Sequence, residues 1–250
     1  MLSLQNLSIT LKQHILCHPF SLSIQAGQCV GILGANGVGK STLLKAIGQD
    51  LPHQGAILWR GKNIAELNLT QRAKQLAFLP QQTQLNFAFS VYEIVEMGAM
   101  MYAISKQKLN VMLKYILDIF DISALRNKNF LTLSGGEKQR VQAARVWMQV
   151  LASTEKKLIL LDEPTSALDL KHQHQFLQQC RQLAQQGHLV LIVLHDLNLA
   201  SRYCDQLFLL QQGGFYAYGT PAELLTVTNI QYLYQYHAEI YQQSGQVRVW

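Results

Sequence analysis

The chain has 250 residues, of which 49% are hydrophobic and 14% are charged. This composition excludes a disordered polypeptide and supplies enough apolar side chains for a substantial core. The apolar run at residues 189–194 is far too short to cross a bilayer, and the amino terminus lacks the charged head and apolar stretch of a signal peptide. We therefore expect a protein of the cytosol.

A formal net charge of +6 raises the question of a nucleic-acid partner. The basic residues form no dense run, and Lys156 with Lys157 comes nearest to one. Proximity to anionic lipid headgroups accounts for a mild positive bias at least as well. The expectation is a protein without a nucleic-acid partner.

The first half of the chain alternates strand and helix signals. Residues 2–11 and 20–24 are predicted to form antiparallel strands, and residues 55–59 to begin a hairpin. Residues 28–33 are predicted to be a buried strand that leads through a glycine loop into a helix from about Lys40. These signals are typical of an α/β protein.

The second half continues this alternation. The pattern is helical over residues 90–120, and residues 158–161 and 189–194 are predicted buried strands, each followed by a helix. Further predicted elements are helices at 171–186, from Asp196, at 221–225 and at 229–236, and a hairpin turning at Ser244 and Gly245. Buried strands alternating with helices predict a parallel sheet covered on both faces. Residues 82–150 contain no strand candidate and are predicted to be a helical insertion in that core.

Residues 34–42 read GANGVGKST and fit the pattern G-x-x-x-x-G-K-[ST] between a predicted strand and helix. Glycines let backbone N–H groups turn inward around phosphate oxygens at the helix amino terminus. Lys40 would reach the terminal phosphates and Ser41 would place its hydroxyl on Mg²⁺. An ordinary glycine turn is the alternative, but the flanking strand and helix favour a phosphate loop. The candidate nucleotide contacts are Gly34, Asn36, Gly37, Gly39, Lys40, Ser41 and Thr42.

A predicted buried strand at residues 158–161 ends in two carboxylates, Asp162 and Glu163. Sheets of this kind place ligands at the carboxyl ends of their strands. Asp162 would hold the Mg²⁺ shell, and Glu163 would act as general base on the attacking water. The alternative is a strand that ends in solvated acids.

Residues 133–137 read LSGGE. Ser134 and Glu137 have the spacing of a capping box, so a plain helix start is one interpretation. Gly135 and Gly136 would each cost about 1 kcal/mol against alanine inside a helix, and capping does not require them. A helix amino terminus without side chains favours close contact with a phosphate.

These three motifs, in this order, resemble the ATPases of ABC transporters over nearly the whole chain. The resemblance implies an α/β fold with a P-loop NTPase (RecA-like) core, an antiparallel β subdomain and an inserted α-helical subdomain. It implies one domain, with residues 1–81 and 154–250 as the nucleotide-binding lobe and 82–153 as the helical subdomain. It also implies a head-to-tail homodimer, in which Ser134, Gly135 and Gly136 serve the ATP held by the partner's phosphate loop.

Further matches follow from the resemblance. Gln81 stands where the family has the glutamine that senses Mg²⁺ and the attacking water, and His195 matches the switch histidine that contacts the γ-phosphate. Residues 166–169, which end in Asp169, resemble the loop that crosses the dimer interface. The family's adenine-stacking aromatic position falls on Ile9, where apolar contact could replace stacking. His172 and His174 have no such match and are predicted to be surface residues.

Residues 87–98, 195–200 and 219–223 resemble ATPases that import iron siderophores, haem or cobalamin. The extra residues at 153–157 resemble haemin importers. The implied function is the ATP-hydrolysing subunit of a haemin importer at the cytoplasmic face of the inner membrane. Its implied partners are two transmembrane permease subunits and, indirectly, an external substrate-binding protein.

Several alternatives remain open. They are a siderophore-iron or cobalamin importer, an exporter or amino-acid importer, and a non-transport ABC ATPase that acts on nucleic acid. The apolar residues between 87 and 102 belong either to the core or to a groove for a permease helix.

Overall fold

The computed structural model describes residues 1–11, 14–81, 85, 87–243 and 246–250. The strands are β1 (Leu2–Leu11), β2 (His14–Ile24), β3 (Cys29–Leu33), β4 (Gln54–Trp59), β5 (Lys62–Asn63), β6 (Leu76–Leu79), β7 (Leu158–Leu161), β8 (Leu189–Val193), β9 (Gln206–Gln211), β10 (Gly214–Gly219), β11 (Ile240–Gln243) and β12 (Gln246–Val249). The predicted turn at Ser244 and Gly245 lies outside the described residues, as do residues 82–84 and 86 of the predicted helical insertion.

The α-helices are α1 (Lys40–Ile47), α2 (Leu69–Gln75), α3 (Val91–Met97), α4 (Lys106–Ile119), α5 (Gly135–Leu151), α6 (Leu170–Gln185), α7 (Leu197–Tyr203), α8 (Pro221–Leu224) and α9 (Val227–Tyr234). No helix in the part of the chain that the structure describes combines the length and apolarity needed to span a bilayer.

The central sheet has six strands in the order β10-β9-β3-β8-β7-β6, and all neighbours are parallel except β10 with β9. Every residue of β3, β7 and β8 is buried, because one face of this sheet packs against α1 and a second sheet and the other face packs against helices that include α5 and α6. A second, antiparallel sheet has the order β2-β1-β4-β5. The α/β prediction with an antiparallel β subdomain is confirmed.

Three strands of the central sheet were absent from the sequence prediction: β6, β9 and β10. β6 is the edge strand that leads to Gln81, and β9 lies beside the strand that enters the phosphate loop. The missed strands therefore include part of the framework of the candidate site.

The helical segment departs from its prediction in one place. The predicted continuous pattern over 90–120 is two helices, α3 and α4, and Ser105 caps the second of them. Gly98 ends α3 against α5, where a Cβ atom would lie 2.2 Å from the carbonyl oxygen of Arg145. Among the described residues of 85–150, β structure is limited to one isolated bridge between Ser90 and Asn129.

Candidate active site

The phosphate loop lies between β3 and α1. Gly34, Gly37 and Gly39 have φ angles of 151°, 80° and 103°, a region that residues with a Cβ rarely adopt. At Gly34 a Cβ would also lie 2.4 Å from the carbonyl oxygen of Leu210, on β9. The loop conformation therefore requires these glycines, as its sequence predicts.

Lys40 begins α1 and is only 5% exposed. Its Nζ atom donates hydrogen bonds to the carbonyl oxygens of Gly34, at 2.8 Å, and Ala35, at 3.0 Å. Burial lowers the pKa of the Lys40 ammonium, while the carboxylates of Glu163 and Asp162 act in the opposite direction. The Lys40 ammonium is thus a positive charge fixed against the backbone of the phosphate loop.

Asp162 directly follows the buried strand β7 and is itself fully buried. Its Oδ1 atom accepts a hydrogen bond from the Ser41 hydroxyl at 2.8 Å. Its Oδ2 atom is buried without a hydrogen-bond partner in the described part of the chain. Burial is the main cause that raises the pKa of this carboxyl. A hydroxyl beside a carboxylate with an orphaned oxygen is a donor set that fits Mg²⁺, which prefers oxygen ligands.

Glu163 contacts two residues from neighbouring strand ends. Its Oε2 atom accepts a hydrogen bond from Gln81 Nε2 at 2.8 Å, and its Oε1 atom lies 2.8 Å from His195 Nε2. Gln81 follows β6 and His195 follows β8, so three adjacent parallel strands deliver these side chains to one edge. Glu163 has a φ of 49°, a left-handed conformation that costs about 1–3 kcal/mol and is typical of functional sites.

One cavity of about 400 Å³ unites most of the predicted residues. Its lining residues are Asn36, Gly37, Gly39, Lys40, Ser41, Thr42, Gln81, Glu163 and His195. Gly34 and Asp162 adjoin it through their hydrogen bonds to Lys40 and Ser41. The phosphate loop, both carboxylates, the glutamine and the histidine therefore belong to one constellation.

The residues of the LSGGE segment and Asp169 do not line this cavity. Ser134 caps α5 in a capping box, so the plain structural interpretation of this segment is also true. A Cβ on Gly136 would lie 2.8 Å from the carbonyl oxygen of Ala167, whereas a Cβ on Gly135 would meet nothing within 4 Å. Gly136 therefore has a packing role that the sequence did not reveal. Asp169 caps α6.

The surface prediction for His172 is wrong. Its side chain is 13% exposed and contacts the carboxylates of Asp169 and Asp121 and the guanidinium of Arg140. His174 is half-buried, and its Nδ1 lies 2.8 Å from the hydroxyl of Tyr203. Arg140 and Asp121 lie 32 and 51 positions from His172 in the chain, so no local sequence pattern predicts this cluster.

The structure excludes the option of an apolar contact between Ile9 and adenine. Ile9 is 1% exposed, because its side chain packs in the core between the antiparallel sheet and β3. It pairs with Cys17 within the sheet. A side chain that is buried in this way offers no surface to a nucleotide base.

A glycine loop closed by a lysine at a strand–helix junction, with acidic residues at the end of a neighbouring parallel strand, defines a P-loop nucleoside triphosphatase. A model of the family "ABC transporter" matches residues 17–166 of this chain. The chain belongs to the ABC transporter family and is an ATPase of that family.

Named relatives are similar to this chain in sequence over almost its full length. The hemin import ATP-binding protein HmuV of Pseudomonas fluorescens (strain Pf0-1) is 42% identical over 246 residues, covering 96% of both chains. The protein of the same name from Pseudomonas aeruginosa is 41% identical, with the same coverage.

Solved structures give the same family. A putative metal-chelate type ABC transporter in an inward-facing conformation superposes with a TM-score of 0.77 at 29% identity, covering 99% of this chain and 95% of that one. A dimeric ATP-binding cassette in a post-hydrolysis state bound to ADP and Pi has a TM-score of 0.77 at 27% identity, covering 88% and 99%.

Proposed function

We propose that this chain is the ATP-hydrolysing subunit of an importer that takes up haemin through a membrane permease. The observation that carries the ATPase function is the cavity where the phosphate loop meets Glu163, Gln81 and His195. The haemin assignment rests on the full-length similarity to hemin import ATP-binding proteins.

The phosphate loop and Lys40 bind the phosphates of ATP in this proposal. In the structure Lys40 donates to two carbonyls of its own loop, and these bonds would be exchanged for phosphate oxygens. Ser41 and Asp162, together with Gln81, would hold Mg²⁺. When bound, this ion supplies neutralisation of phosphate charge.

Glu163 is the general base in this proposal. The Gln81 amide and the His195 ring hold both of its carboxylate oxygens at 2.8 Å, which fixes the carboxylate beside the cavity. A carboxylate in this position accepts the proton of the attacking water as the water oxygen bonds to the γ-phosphorus and the bond from that phosphorus to the bridging oxygen breaks, which releases ADP. His195 would then contact the γ-phosphate through its ring.

A second copy completes each site. Ser134, Gly135, Gly136 and Asp169 lie outside the cavity of their own chain, and Gly135 presents an open backbone at the start of α5. We infer that they face the nucleotide of a partner in a homodimer, where a bare helix amino terminus attracts phosphate.

Two inactive variants test this shared site. Lys40→Ala damages the phosphate loop, and Ser134→Arg blocks the α5 amino terminus. Each homodimer should be inactive, whereas a mixed dimer contains one site in which both halves are intact. Recovery of ATPase activity on mixing supports the shared site, and its absence contradicts it.

We infer a division into a nucleotide-binding lobe (residues 1–81 and 154–250) and a helical subdomain (82–153).

The helical subdomain carries a cavity of about 430 Å³, here called the docking groove, lined by Phe89, Glu93, Glu96, Met97, Ala99, Met100, Tyr102, Ile104 and Leu109. An exposed apolar groove of this size suits an amphipathic helix, and we assign it to the permease. We infer that the chain lies peripherally at the cytoplasmic face of the inner membrane, beneath two permease subunits that an external substrate-binding protein supplies.

Growth on haemin tests the assignment. A bacterial strain without its own haemin-import ATPase should grow on haemin as sole iron source when given this chain together with its cognate permease. The Glu163→Gln variant should fail to support growth. Growth restored on a ferric siderophore or by cobalamin, but not on haemin, would transfer the proposal to that substrate.

A further inference from the structure

A lysine is completely buried at a distance from the active-site constellation. Lys157 is 0% exposed and directly precedes β7. Its Nζ atom donates to the carbonyl oxygens of Ala73, at 3.0 Å, and Lys74, and to the hydroxyl oxygen of Tyr102, at 2.8 Å. All three N–H groups of the ammonium are thereby used. Burying an ammonium is costly, and burial lowers the pKa of Lys157 to about 8.

Two of these three bonds have a structural explanation. Ala73 and Lys74 lie in the last turn of α2, whose final carbonyls lack partners within the helix and carry partial negative charge. Gln149 of α5 donates to the Ala73 carbonyl as well, at 2.9 Å. Lys157 therefore caps α2, but a cap does not require the third bond, to Tyr102.

Tyr102 belongs to the docking groove. Burial raises the pKa of its phenol, while Ser153 acts in the opposite direction and the carboxylate of Glu155 adds to the effect of burial. Ser153, Glu155 and Lys157 all come from the extra segment at residues 153–157. One wall of the groove is thus held from behind by this segment.

Lys157 is also connected to the active site, through the strands β6 and β7. α2 runs directly into β6, and Lys157 runs directly into β7. These two strands pair in parallel from their first residues to their last. Their far ends deliver Gln81 and Glu163, which are hydrogen-bonded to each other. One ammonium therefore joins the groove wall to the beginnings of both strands.

We propose that Lys157 is a positioning residue that couples the docking groove to the active site through Tyr102. A change at the ends of β6 and β7 alters the position of Lys157, and with it the groove wall that a permease contacts. The coupling is reciprocal, as linkage requires. This inference rests on the proposed function of the groove, whereas its first test needs only the subunit and nucleotide.

The first test places 3-fluorotyrosine at position 102 and records its ¹⁹F resonance with and without Mg-ATP, in the Glu163→Gln background so that ATP persists. The resonance should shift on ATP binding, and Lys157→Met should abolish that shift. The control is Lys156→Met, which removes a neighbouring exposed ammonium and should retain the shift. Absence of a shift before substitution, or an equal shift in Lys157→Met, overturns the proposal.

The second test uses Tyr102→Phe, which deletes one hydroxyl and leaves the cap on α2 in place. In lipid vesicles with the permease, Tyr102→Phe should lower the permease-dependent stimulation of ATPase activity at least about fivefold, the lower end of coupling between distant sites. The double variant with Lys157→Met should lose no more stimulation than Lys157→Met alone, because Lys157→Met already breaks the contact that Tyr102→Phe removes. Full stimulation in Tyr102→Phe, or additive losses, would show that Lys157 only caps α2.

The two proposals fail in different ways. If Tyr102→Phe lowers the permease-dependent stimulation but the wild type transports no haemin, the haemin assignment fails and the coupling stands. If haemin is transported but Tyr102→Phe keeps full stimulation, the coupling fails and the haemin assignment stands.

Discussion

Because it contains a buried histidine, His188, we expect the folded protein to lose stability in mild acid. His188 is 5% exposed, and its Nδ1 atom accepts a hydrogen bond from the Lys157 backbone N–H at 3.0 Å. Burial lowers the pKa of this imidazole from 6.5 to about 4, and the nearby ammonium groups of Lys156 and Lys157 add to this effect. The folded protein therefore holds His188 neutral at pH values where the unfolded chain binds a proton.

The direction and size of the pH effect on stability follow from the difference between the pKa of His188 in the folded protein and in the unfolded chain. The contribution of His188 to stability is fully present above pH 6.5, and it is lost as the pH falls from 6.5 towards 4. The difference between these two pKa values corresponds to roughly 3 kcal/mol in total. About 2 kcal/mol of it should disappear between pH 7 and pH 5.

Urea unfolding at pH 7 and pH 5 measures this loss, and a matched pair of variants isolates it. His188→Gln keeps a hydrogen-bond acceptor without the titration, so its free energy of unfolding should fall about 2 kcal/mol less than that of the wild type over this range. His237→Gln removes an exposed histidine and should behave like the wild type. If His188→Gln loses as much stability as the wild type, the argument from burial is refuted.

The remaining predictions concern activity and packing. Glu163→Gln should lower kcat by about 10²–10⁴-fold with ATP binding retained, measured by steady-state turnover and nucleotide titration; near-normal turnover would remove the general-base role. Gly136→Ala should destabilise the protein by about 1–3 kcal/mol, because its Cβ would meet the Ala167 carbonyl at 2.8 Å. Gly135→Ala should be milder in the same urea titration, since its Cβ meets nothing, and equal losses would contradict this reasoning. Gly98→Ala should cost at least as much as Gly136→Ala, because its Cβ would lie 2.2 Å from a carbonyl of α5; unchanged unfolding would show that α3 can move away.

The sequence was most informative where chemistry and structure are local. The phosphate loop and the two carboxylates are contiguous motifs, and each directly follows a wholly buried strand, β3 or β7, so their sequence patterns are unambiguous. β6 was missed because it has four residues and follows α2 without a turn, which is too short to show a period. β9 and β10 were detectable from the turn at Gly213 and Gly214, both at positive φ, between two apolar runs.

The contacts between side chains of the active site could not be predicted from the sequence, because they depend on the fold. Gln81, Glu163 and His195 were assigned through resemblance, but their hydrogen bonds depend on β6, β7 and β8 being neighbours. The burial of Ile9 likewise depends on the packing of the antiparallel sheet against β3. The contact of Lys157 with Tyr102 joins residues 55 positions apart, which no local pattern reports.

Haemin transport in a defined system is the most direct measurement of the central claim. Lipid vesicles that contain this chain, its permease and the cognate substrate-binding protein should take up haemin when Mg-ATP is supplied on the side of the ATPase. The same vesicles prepared with Glu163→Gln should take up none. ATP-dependent uptake of a ferric siderophore or of cobalamin, with haemin left outside, would contradict the account.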